Sequence, residues 1–597
     1  MRFTLLSEEI PFYTPIEQIF SNRGIPVNEI KHYQEVSIED THSPSLFEDI
    51  DEGVKMLVKH IQALDKTGIL VDCDADGFTS AALLTNYFES VFPYWSNVSL
   101  LHFFHSDKQH GLSDSIESIL KSEVKFMIVP DAGGGDVNHV TKLKEHGIDV
   151  LVLDHHDSPR DSYGPGVVIN NQFGRYPNRT LSGVGVVYKF CERIDQFLGI
   201  KAAEQFLDLV AVGCVADLMP LTNFETLYYI RKGIQNLRNP FIRTMVKEQE
   251  YSINKHGEFD PFCIGFYVAP FINATIRVGT MDEKLMLFES LLDSKGYTLV
   301  SSGKRGHKGE QVPLAEEACR VCANVKSRQT KARDENLETI ERLIQENNLL
   351  ENKIVAVKLP KELGVDKNIL GLIANILMDK YQRPVLLLNE TEEKVINELT
   401  IYSDDTVEFH RGPKKVWAGS ARNYQYSEIE DLRGFLNNFP QVLYAQGHAS
   451  AFGIAILDEF FDSFIEDTNE ALKDIDFSPM YRVDCIFAEN DDADYYLMID
   501  SLKCYYGQGF EEPYIAITDV HVNSSNMTLM SKDKNPTIKI TLPSGAEIMK
   551  FKSSQEEYDA LLDTVIDVVG KCSANRWMGR VTPQVLVEDY EIKRMDF

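Results

Sequence analysis

The chain has 597 residues, of which 43% are hydrophobic and 25% are charged. Because one hydrophobic core seldom serves more than about 250–300 residues, this length excludes a single-domain protein, and the composition is that of an ordinary globular chain. The formal net charge of −31 counts against a nucleic-acid partner, and the lack of a basic leader or of a run of ~18 apolar residues predicts a cytoplasmic protein with no membrane span.

Three short apolar runs in the first third of the chain each end in a segment that begins with aspartate. GILV (68–71) runs into DCDADG, KFMIVP (125–130) into DAGGGD, and DVLVL (149–153) into DHHDS, with helix-like stretches between them. Strands that alternate with helices in this way indicate an α/β fold with a parallel sheet flanked by helices. Ligands of such sheets bind at the carboxyl ends of the strands, which is where all three segments lie.

The first two of these segments have the residues expected around a cation. Asp72, Asp74 and Asp76 alternate along the chain, so an extended backbone would point all three carboxylates to one side. Like charges at that distance repel one another unless a cation lies among them. Gly77 allows a sharp turn into the next helix, and the three glycines after Asp131 let a ligand approach the backbone closely.

Two histidines and one further aspartate complete the candidate metal site. Asp154, His155 and His156 follow the third apolar run, and one histidine is expected to be a ligand while its neighbour faces the substrate. Asp217 ends the apolar run LVAVGCVADLMPL and, as a buried carboxylate, needs a cation partner. This set of hard oxygen and nitrogen ligands favours two Mn²⁺ or Mg²⁺ ions ~3.5–4 Å apart, which activate water and stabilise a phosphoryl transition state.

Each of these segments has a simpler interpretation when it is taken alone. DCDADG is compatible with a calcium-binding turn, DHH with chance, and Asp217 with a helix terminus. Their common placement at strand or helix ends favours a single two-metal hydrolytic site.

The remainder of the chain predicts a connector and two more domains after a first domain over residues 1–315. Residues 316–350 lack Pro and Gly and predict one connector helix, and 351–465 repeat the α/β pattern. Short strands separated by turns predict a small β-barrel over 478–597. Residues 301–333 carry eight Lys or Arg against three Glu, which fits either a nucleic-acid contact or a solvated helix face.

These segments resemble the DHH phosphoesterase superfamily and, within it, the RecJ-type single-strand-specific exonucleases, over nearly the whole chain. LSGVGVVYKF (181–190) resembles the glycine-containing helix start that follows the naming DHH motif. The positions that match the four acidic motifs of the family are Asp72, Asp74 and Asp76, then Asp131, then Asp154 with His155 and His156, and finally Asp217 with Pro220.

The resemblance implies how the ligands divide between two ions. The ligands implied for the first ion are Asp74, Asp131 and, as a further candidate, Asp72. The ligands implied for the second ion are Asp76, His155, Asp217 and the bridging Asp131. His156 would contact the scissile phosphate, and Asp154 would orient a histidine. Leu70 stands where some members have a metal-binding histidine, so the first ion is expected to have fewer protein ligands.

The resemblance also implies the residues that hold the substrate. INATIRVG (272–279) resembles a segment that contributes an arginine, here Arg277, toward the phosphate. GSARN resembles a phosphate-contacting loop and offers Ser420 and Arg422, and GHASAFG resembles a Gly-Gly-His motif that offers His448, with Gln446 in place of the first glycine. YYGQGFEEP (505–513) resembles the opening of the RecJ oligonucleotide-binding barrel, an OB-fold.

The activity that the resemblance implies is the degradation of single-stranded DNA from its 5′ end to 5′-mononucleotides, in repair, recombination or replication. The enzyme would act as a monomer alongside a helicase or a single-strand-binding protein. The alternatives are a DHH-type oligoribonuclease or cyclic-dinucleotide phosphodiesterase, a pyrophosphatase-like enzyme, and a non-catalytic replication scaffold. The barrel-like third domain counts against the other enzymes, and the complete set of acidic motifs counts against the scaffold.

Overall fold

The structure is a computed structural model that describes residues 1–105, 110–401, 407–424, 426–531, 535–577 and 579–595. The chain begins with a strand that pairs far from its own position in the sequence. Strand β1 (Arg2–Leu5) runs parallel to residues 480–483, near the other end of the chain. Three helices then lead to the first sheet, namely α1 (Pro15–Asn22), α2 (Ile30–Gln34) and α3 (Ile50–Ala63).

Five parallel strands form the sheet of the first domain. They are β2 (Thr67–Val71), β3 (Leu100–Phe104), β4 (Phe126–Pro130), β5 (Asp149–Asp154) and β6 (Val167–Asn170). Their spatial order is β3-β2-β4-β5-β6, so the chain leaves β2 toward one edge and returns to its other side at β4. A crevice forms at the carboxyl ends of the strands where the order reverses in this way, which places Asp72 and Asp131 in one crevice.

Five helices pack on the two faces of this sheet, and the longer ones are covered by other elements on both sides. They are α4 (Ala75–Val91), α5 (Pro93–Ser99), α6 (Ile116–Lys121), α7 (Val137–Glu145) and α8 (Gly183–Leu198). Helix α4 is buried over residues 75–88, since it lies between the sheet and further helices. Asp74 caps it by accepting a hydrogen bond from the backbone N–H of Gly77 (3.0 Å), so the metal motif and the helix start coincide.

A helical layer completes the first domain. Its helices are α9 (Leu207–Ala216), α10 (Phe224–Gln235), α11 (Pro240–Glu248), α12 (Glu250–His256), α13 (Pro261–Cys263), a π-helical turn at Ile264–Val268, α14 (Ala269–Val278) and α15 (Met281–Ser290). Among the described residues, Pro261–Val278 is long and apolar enough to cross a membrane, but half of it is buried inside the fold. A small hairpin of β7 (Leu299–Ser301) and β8 (Gln311–Pro313) follows.

A long helix joins the first domain to a second sheet. Helix α16 runs from Leu314 to Glu346, and its first half packs against α11, α14 and α15. The second domain contains β9 (Val355–Leu359), α17 (Leu370–Tyr381), β10 (Val385–Ile401), β11 (Val407–Arg422), α18 (Leu432–Asn437), β12 (Val442–Gly447), β13 (Ala451–Leu457) and α19 (Phe461–Ala471). Its sheet has the order β12-β13-β11-β10-β9 and is mixed, because only β9 and β10 run parallel.

The last part of the chain is a mixed seven-stranded sheet with the order β15-β16-β20-β21-β19-β18-β17. Its elements, with the preceding β14 (Met480–Val483), are β15 (Cys485–Ala488), α20 (Asp494–Asp500), β16 (Ile515–Val522), β17 (Met527–Met530), β18 (Thr537–Thr541), β19 (Glu547–Lys550), α21 (Gln555–Leu561), β20 (Thr564–Trp577) and β21 (Arg580–Met595). Arg23 of the N-terminal segment reaches it through a buried ion pair with Asp484 (2.7 Å). The predicted α/β fold with a parallel first sheet is confirmed.

Candidate metal centre

The crevice at the carboxyl end of the first sheet contains two adjoining groups of metal-type ligands. Carboxylate oxygens of Asp72, Asp74 and Asp131 lie within 4.8 Å of one another, and ligand atoms of Asp76, His155 and Asp217 do the same. His155 joins the two groups, because its Nε2 lies 3.3 Å from Asp131 Oδ1 and 3.4 Å from Asp217 Oδ2. Six of the residues predicted from the sequence are therefore together, although they come from four separate segments of the chain.

The electrostatics of this crevice fit bound cations. Burial raises the pKa of Asp76 to about 7 and that of Asp217 to about 8, and repulsion from neighbouring carboxylates adds to both shifts. Burial, and then repulsion from Asp76 and Asp74, holds the pKa of Asp131 well above its usual range. Among the described residues, the buried Oδ1 of Asp131 also has no donor aligned for a hydrogen bond. A divalent cation would satisfy that oxygen and neutralise the clustered charges, so the residues fit two such ions.

Asp76 is positioned by the start of helix α8. Its carboxylate accepts hydrogen bonds from the backbone N–H groups of Gly183 (2.7 Å) and Val184 (3.2 Å) and from the Ser182 hydroxyl (3.2 Å). These N–H groups have no partner within the helix, and the positive end of the helix dipole favours a negative charge there. The segment LSGVGVVYKF therefore holds a predicted ligand in place, a role that the sequence alone did not assign to Ser182.

Asp131 has an unusual backbone conformation that turns its carboxylate toward both groups. Its φ is +59°, a left-handed value that costs a residue other than glycine roughly 1–2 kcal/mol. The turn is fixed by a hydrogen bond from Asp131 N–H to the carbonyl of Leu153 (2.8 Å) on the neighbouring strand. The carboxylate packs directly against Gly183, where an added Cβ would lie 2.2 Å from Asp131 Oδ1. The absence of a side chain at residue 183 thus makes room for the Asp131 carboxylate, which lies beside His155 of the other group.

This contact predicts the effect of adding one methyl group. Gly183→Ala is expected to displace the Asp131 carboxylate, because the neighbouring atoms are buried and cannot move away from a Cβ at 2.2 Å. Overpacking of this kind costs typically ~1–3 kcal/mol of stability. We expect a lower melting temperature together with weaker Mn²⁺ binding by calorimetry. A variant that melts earlier but binds Mn²⁺ as tightly as the wild type would contradict this account of the contact.

The two histidines of the DHH segment are held differently. Asp154 is fully buried and accepts hydrogen bonds from His156 Nδ1 (2.7 Å) and from the Tyr163 hydroxyl (2.8 Å). Burial lowers the pKa of His156, but the bond and charge of Asp154 outweigh burial and raise this pKa to about 9. Burial, and then repulsion from His156, lowers the pKa of His155 to about 4. At neutral pH, His155 is a neutral imidazole able to bind a metal, and His156 is a cation able to contact a phosphate.

Two histidines that were not predicted from the sequence contact the carboxylate of Asp72. His110 Nδ1 is 2.5 Å from Asp72 Oδ2, His105 Nε2 is 3.2 Å from Oδ1, and Gly111 N–H donates to Oδ1 (3.1 Å). Burial tends to raise the pKa of Asp72, but the two imidazoles together bring it down to about 2. His110 also forms a metal-type group with Asp72 and Cys73. The sequence feature that could have identified these histidines is the polar segment after the strand LLHFF, because that strand ends at the same edge of the sheet.

The substrate residues predicted from the sequence lie along two connected elements. On α14, the side chain of Asn273 accepts a hydrogen bond from Ala75 N–H (3.2 Å) at the crevice, and Arg277 follows one turn later with its Nε buried and lacking a hydrogen-bond partner among the described residues. Arg422 ends β11, and burial followed by repulsion from Arg277 lowers its pKa. Helix α14 therefore runs from the carboxylate crevice to Arg277, whose charge is felt at Arg422.

The remaining two predicted residues lie beside Arg422 in the second sheet. Ser420 precedes Arg422 on the same face of β11. His448 is exposed in the hairpin between β12 and β13, where its backbone exchanges hydrogen bonds with Ala451, the residue that pairs with Arg422. Gln446, which replaces a family glycine, has an ordinary strand conformation, whereas Gly447 has a φ of +130° and is retained. The replacement therefore falls where no glycine is required.

Comparisons with known proteins agree with this architecture. The model of the DHH family, N-terminal domain, matches residues 66–214, and that of the RecJ OB domain matches residues 491–589. The SPbeta prophage-derived protein YorK of Bacillus subtilis, which carries the name of a single-strand DNA-specific exonuclease, is 31% identical over 100% of this chain and 99% of its own length. The chain belongs to the RecJ family of DHH proteins. The resemblance drawn from the motifs is therefore confirmed, as is an OB domain at the end of the chain.

Two other RecJ proteins are less similar in sequence, but their matches also cover nearly all of this chain. The single-stranded-DNA-specific exonuclease RecJ of Bacillus subtilis is 23% identical over 98% of this chain and 69% of its own length. The crystal structure of RecJ in complex with Mn²⁺ from Thermus thermophilus matches with a TM-score of 0.70 at 17% identity, covering 99% of this chain and 79% of that one. A second crystal structure of that protein contains Mg²⁺. At this identity the likeness establishes a common fold from end to end.

Proposed function

We propose that this RecJ-family chain is a metal-dependent exonuclease that degrades single-stranded DNA from its 5′ end and releases 5′-mononucleotides. One observation carries the proposal. Asp131 belongs to one of two adjoining ligand groups and lies 3.3 Å from His155 of the other, and helix α14 runs from this crevice to Arg277, which lies within electrostatic range of Arg422. A hydrolytic centre near two partly buried arginines is suited to a strand that ends in a phosphate. Its relatives bear the name of single-strand DNA-specific exonucleases, which supports the choice of substrate.

The residues that would hold two Mn²⁺ or Mg²⁺ ions follow from the two groups. One ion would have Asp72, Asp74 and Asp131 as ligands, and the other Asp76, Asp131, His155 and Asp217. When bound, such a pair supplies an activated water and neutralises charge on the phosphoryl group. Because Asp72 is also held by His105 and His110, its carboxylate has fewer free electron pairs for an ion than those of Asp74 and Asp131.

The side chains around the ions would orient the scissile phosphate. His156 is kept protonated and in one orientation by Asp154, and its remaining ring N–H is free to donate to a phosphate oxygen. Its charge would offset the negative charge that the phosphoryl oxygens develop during in-line displacement. Tyr163 fixes Asp154 in turn, so the orientation of His156 rests on a buried chain of hydrogen bonds.

The arginine pair would make the enzyme act from an end rather than within a strand. Arg422 and Arg277 are both partly buried and repel each other, a cost that a doubly charged terminal phosphate would offset. Ser420 and His448 lie beside Arg422 in the second sheet and would add hydrogen bonds. An internal phosphodiester has one negative charge and continues on both sides, so two arginines would bind it less well than a terminal phosphate.

The test is a time course on single-stranded DNA labelled at either end, with Mn²⁺ and with Mg²⁺. A 5′ label is expected to appear at once as a mononucleotide, whereas a 3′ label shortens stepwise. Arg422→Gln is expected to weaken the preference for a 5′-phosphate over a 5′-hydroxyl by roughly 10- to 100-fold, because a charge-assisted pair is worth about 1.5–3 kcal/mol. Arg422→Lys, which keeps the charge, should lose less.

Other outcomes of this time course would redirect the proposal. Immediate release of the 3′ label would reverse the polarity, and faster cleavage of di- and trinucleotide RNA than of long DNA would favour an oligoribonuclease. Equal rates at 5′-phosphate and 5′-hydroxyl ends in the wild type would remove the role of the arginine pair. We further propose that the chain acts as a monomer in the cytoplasm, with a helicase or single-strand-binding protein supplying the strand.

A further inference from the structure

A third group of metal-type ligands lies beside the carboxylate crevice and differs from the crevice groups in its chemistry. It consists of Asp72, Cys73 and His110, whose ligand atoms lie within 4.8 Å of one another. The group combines a carboxylate oxygen, an imidazole nitrogen and a thiol sulfur, whereas the crevice groups have oxygen and nitrogen atoms only. Thiolate and imidazole together favour zinc, while Mn²⁺ and Mg²⁺ prefer oxygen ligands. We name these three residues the Cys73 site.

The distances in the Cys73 site are close to those around a zinc ion. Zinc binds sulfur at about 2.3 Å and nitrogen or oxygen at about 2.0–2.2 Å, so tetrahedral ligand atoms lie roughly 3.3–3.7 Å apart. Cys73 Sγ is 3.7 Å from each ring nitrogen of His110. His110 Nδ1 is 2.5 Å from Asp72 Oδ2, a hydrogen bond that opens by about 1 Å when an ion replaces its proton. Three protein ligands leave the fourth position to water.

The surroundings of Asp72 hold its carboxylate in place for such an ion. Asp72 Oδ1 accepts a hydrogen bond from Gly111 N–H (3.1 Å) and lies 3.2 Å from His105 Nε2. His105 is fixed in turn through its Nδ1, which lies 2.7 Å from Asp114. Outer contacts of this kind orient the ligands of metal sites. The other oxygen, Oδ2, faces His110 and is the one available to an ion.

The Cys73 site also has a path by which an ion can enter. Asp72 and Cys73 are buried, whereas 53% of the His110 side chain is exposed to solvent. An ion can therefore meet the imidazole at the surface and then reach the two buried ligands. A soft sulfur ligand that is shielded from bulk water in this way binds zinc as the thiolate.

A second thiol-containing group among the described residues has a structural explanation instead. It consists of His256, Asp260 and Cys263. Asp260 begins helix α13 by accepting hydrogen bonds from Cys263 N–H (3.0 Å) and from His256 Nε2 (2.7 Å). The Cys263 thiol donates to the carbonyl of Glu258 (3.3 Å). The sulfur of Cys263 thus has a backbone partner, whereas the sulfur of Cys73 faces the ring of another metal-type ligand.

We propose that the Cys73 site binds a zinc ion, which inhibits the nuclease by competing for Asp72 with the neighbouring Mn²⁺ or Mg²⁺ ion. The inference rests on the proposed function. Binding exchanges one Zn²⁺ for two protons, because the Cys73 thiol loses its proton and zinc replaces the proton between His110 and Asp72. Both protons pass to water, so the site keeps its charge.

The inhibition follows from the shared carboxylate. Asp72 also belongs to the group with Asp74 and Asp131 that would hold the first ion. With zinc on Oδ2, and with Gly111 and His105 at Oδ1, Asp72 has fewer electron pairs left for that ion. A third cation beside the crevice also repels the first ion. We therefore expect zinc to weaken the binding of one catalytic ion while leaving the other ligand group intact.

Cobalt tests the site without any measurement of activity, because Co²⁺ occupies zinc sites and a Co²⁺–thiolate bond absorbs in the near ultraviolet. The full chain is saturated with Mg²⁺ to fill the crevice and is then titrated with Co²⁺. We expect one absorbing Co²⁺ per chain, which an equivalent of Zn²⁺ displaces. Cys73→Ser keeps the size of the side chain but should lose the absorption, and His110→Asn should weaken Co²⁺ binding at least ~10-fold. Cys263→Ser is the matched control and should keep the absorption.

The second measurement is the inhibition of the nuclease by zinc on single-stranded DNA at saturating Mn²⁺. Each protein is compared with its own zinc-free rate, so that a change in the basal rate does not enter. The zinc concentration that halves the rate should rise at least ~10-fold in Cys73→Ser, since even residues that only orient a metal ligand are worth about 10–100-fold in affinity. Cys263→Ser should be inhibited as the wild type is.

The outcomes separate the Cys73 site from its alternatives. Equal inhibition of the wild type and Cys73→Ser would mean that zinc acts on the crevice carboxylates, and the proposal would be wrong. It would also be wrong if the wild type showed no thiolate absorption, or if the absorption persisted in Cys73→Ser and disappeared in Cys263→Ser. If the absorption depends on Cys73 but the wild type cleaves no DNA with or without zinc, the zinc site stands and the proposed function fails.

Discussion

Replacing Asp131 with asparagine is expected to lower nuclease activity by at least about 10³-fold while making the metal-free protein more stable. The loss of activity follows from the position of Asp131 between the two ligand groups, where its carboxylate would serve both ions. Replacing a residue that only orients a metal ligand lowers metal affinity or activity by about 10–100-fold. Replacing a ligand shared by both ions should lower them further. Calorimetric titration with Mn²⁺ should show fewer bound ions per chain and weaker binding of those that remain.

The gain in stability has a separate physical cause. Burial and repulsion from Asp76 and Asp74 disfavour a charge on Asp131, and asparagine has the same shape without that charge. Asparagine also tolerates the left-handed backbone that residue 131 adopts. We expect the free energy of unfolding of the metal-free protein at pH 8 to rise, because asparagine removes a charge that burial and the neighbouring carboxylates disfavour. Thermal melting in EDTA measures this gain.

Asp208 provides a matched control for this substitution. It is also buried, but its carboxylate accepts hydrogen bonds from the backbone N–H groups of Leu209, Arg238 and Asn239 at 2.6–2.9 Å, away from the crevice. Asp208→Asn replaces one acceptor oxygen by a donor and should therefore destabilise the protein without changing the number of bound Mn²⁺ ions. If Asp131→Asn also destabilised the metal-free protein, the crevice carboxylates would not be in the mutual repulsion that their positions indicate.

The parts of the site that the sequence predicts are those determined by local pattern. An apolar run followed by aspartate indicates a strand with a polar carboxyl end, and parallel strands bring those ends to one edge. Asp72, Asp131 and Asp154 were placed by that argument, and the structure has all three at the expected edge of one sheet. The order of the strands does not affect this prediction, since the carboxyl ends of all strands in a parallel sheet lie at the same edge.

The parts that the sequence did not predict depend on spatial order and on close packing. His105 and His110 reach Asp72 because β3 lies beside β2, a neighbour relation that the periodicity does not specify. The contact of Gly183 with Asp131 requires atomic packing between two segments 52 positions apart. Strand β1 lies within the predicted first domain over residues 1–315, yet it pairs with β14 at the start of the last domain. No local pattern in a four-residue strand identifies so distant a partner.

The second large effect is a steep dependence of metal affinity on pH. In the metal-free protein, burial and mutual repulsion raise the pKa of Asp76 to about 7 and that of Asp217 to about 8, far above the unfolded value of about 4. A carboxyl group whose folded pKa is raised stabilises the fold at low pH, and this stabilisation is lost as the pH rises through about 7–8. The titration of these two groups should therefore lower the melting temperature of the metal-free protein at pH 8 relative to pH 6.

Bound cations should reverse this trend, because they require the deprotonated carboxylates and displace their protons. Each proton released steepens the affinity by a factor of about ten per pH unit, so one to two protons predict a 10- to 100-fold rise in Mn²⁺ affinity between pH 6 and pH 7. Calorimetry in buffers of different protonation enthalpy counts those protons directly. Asp217→Asn should reduce the count by about one, whereas an affinity independent of pH would mean that the crevice is already ionised without metal. His155 adds no proton, since burial lowers its pKa to about 4 and leaves the imidazole neutral throughout this range.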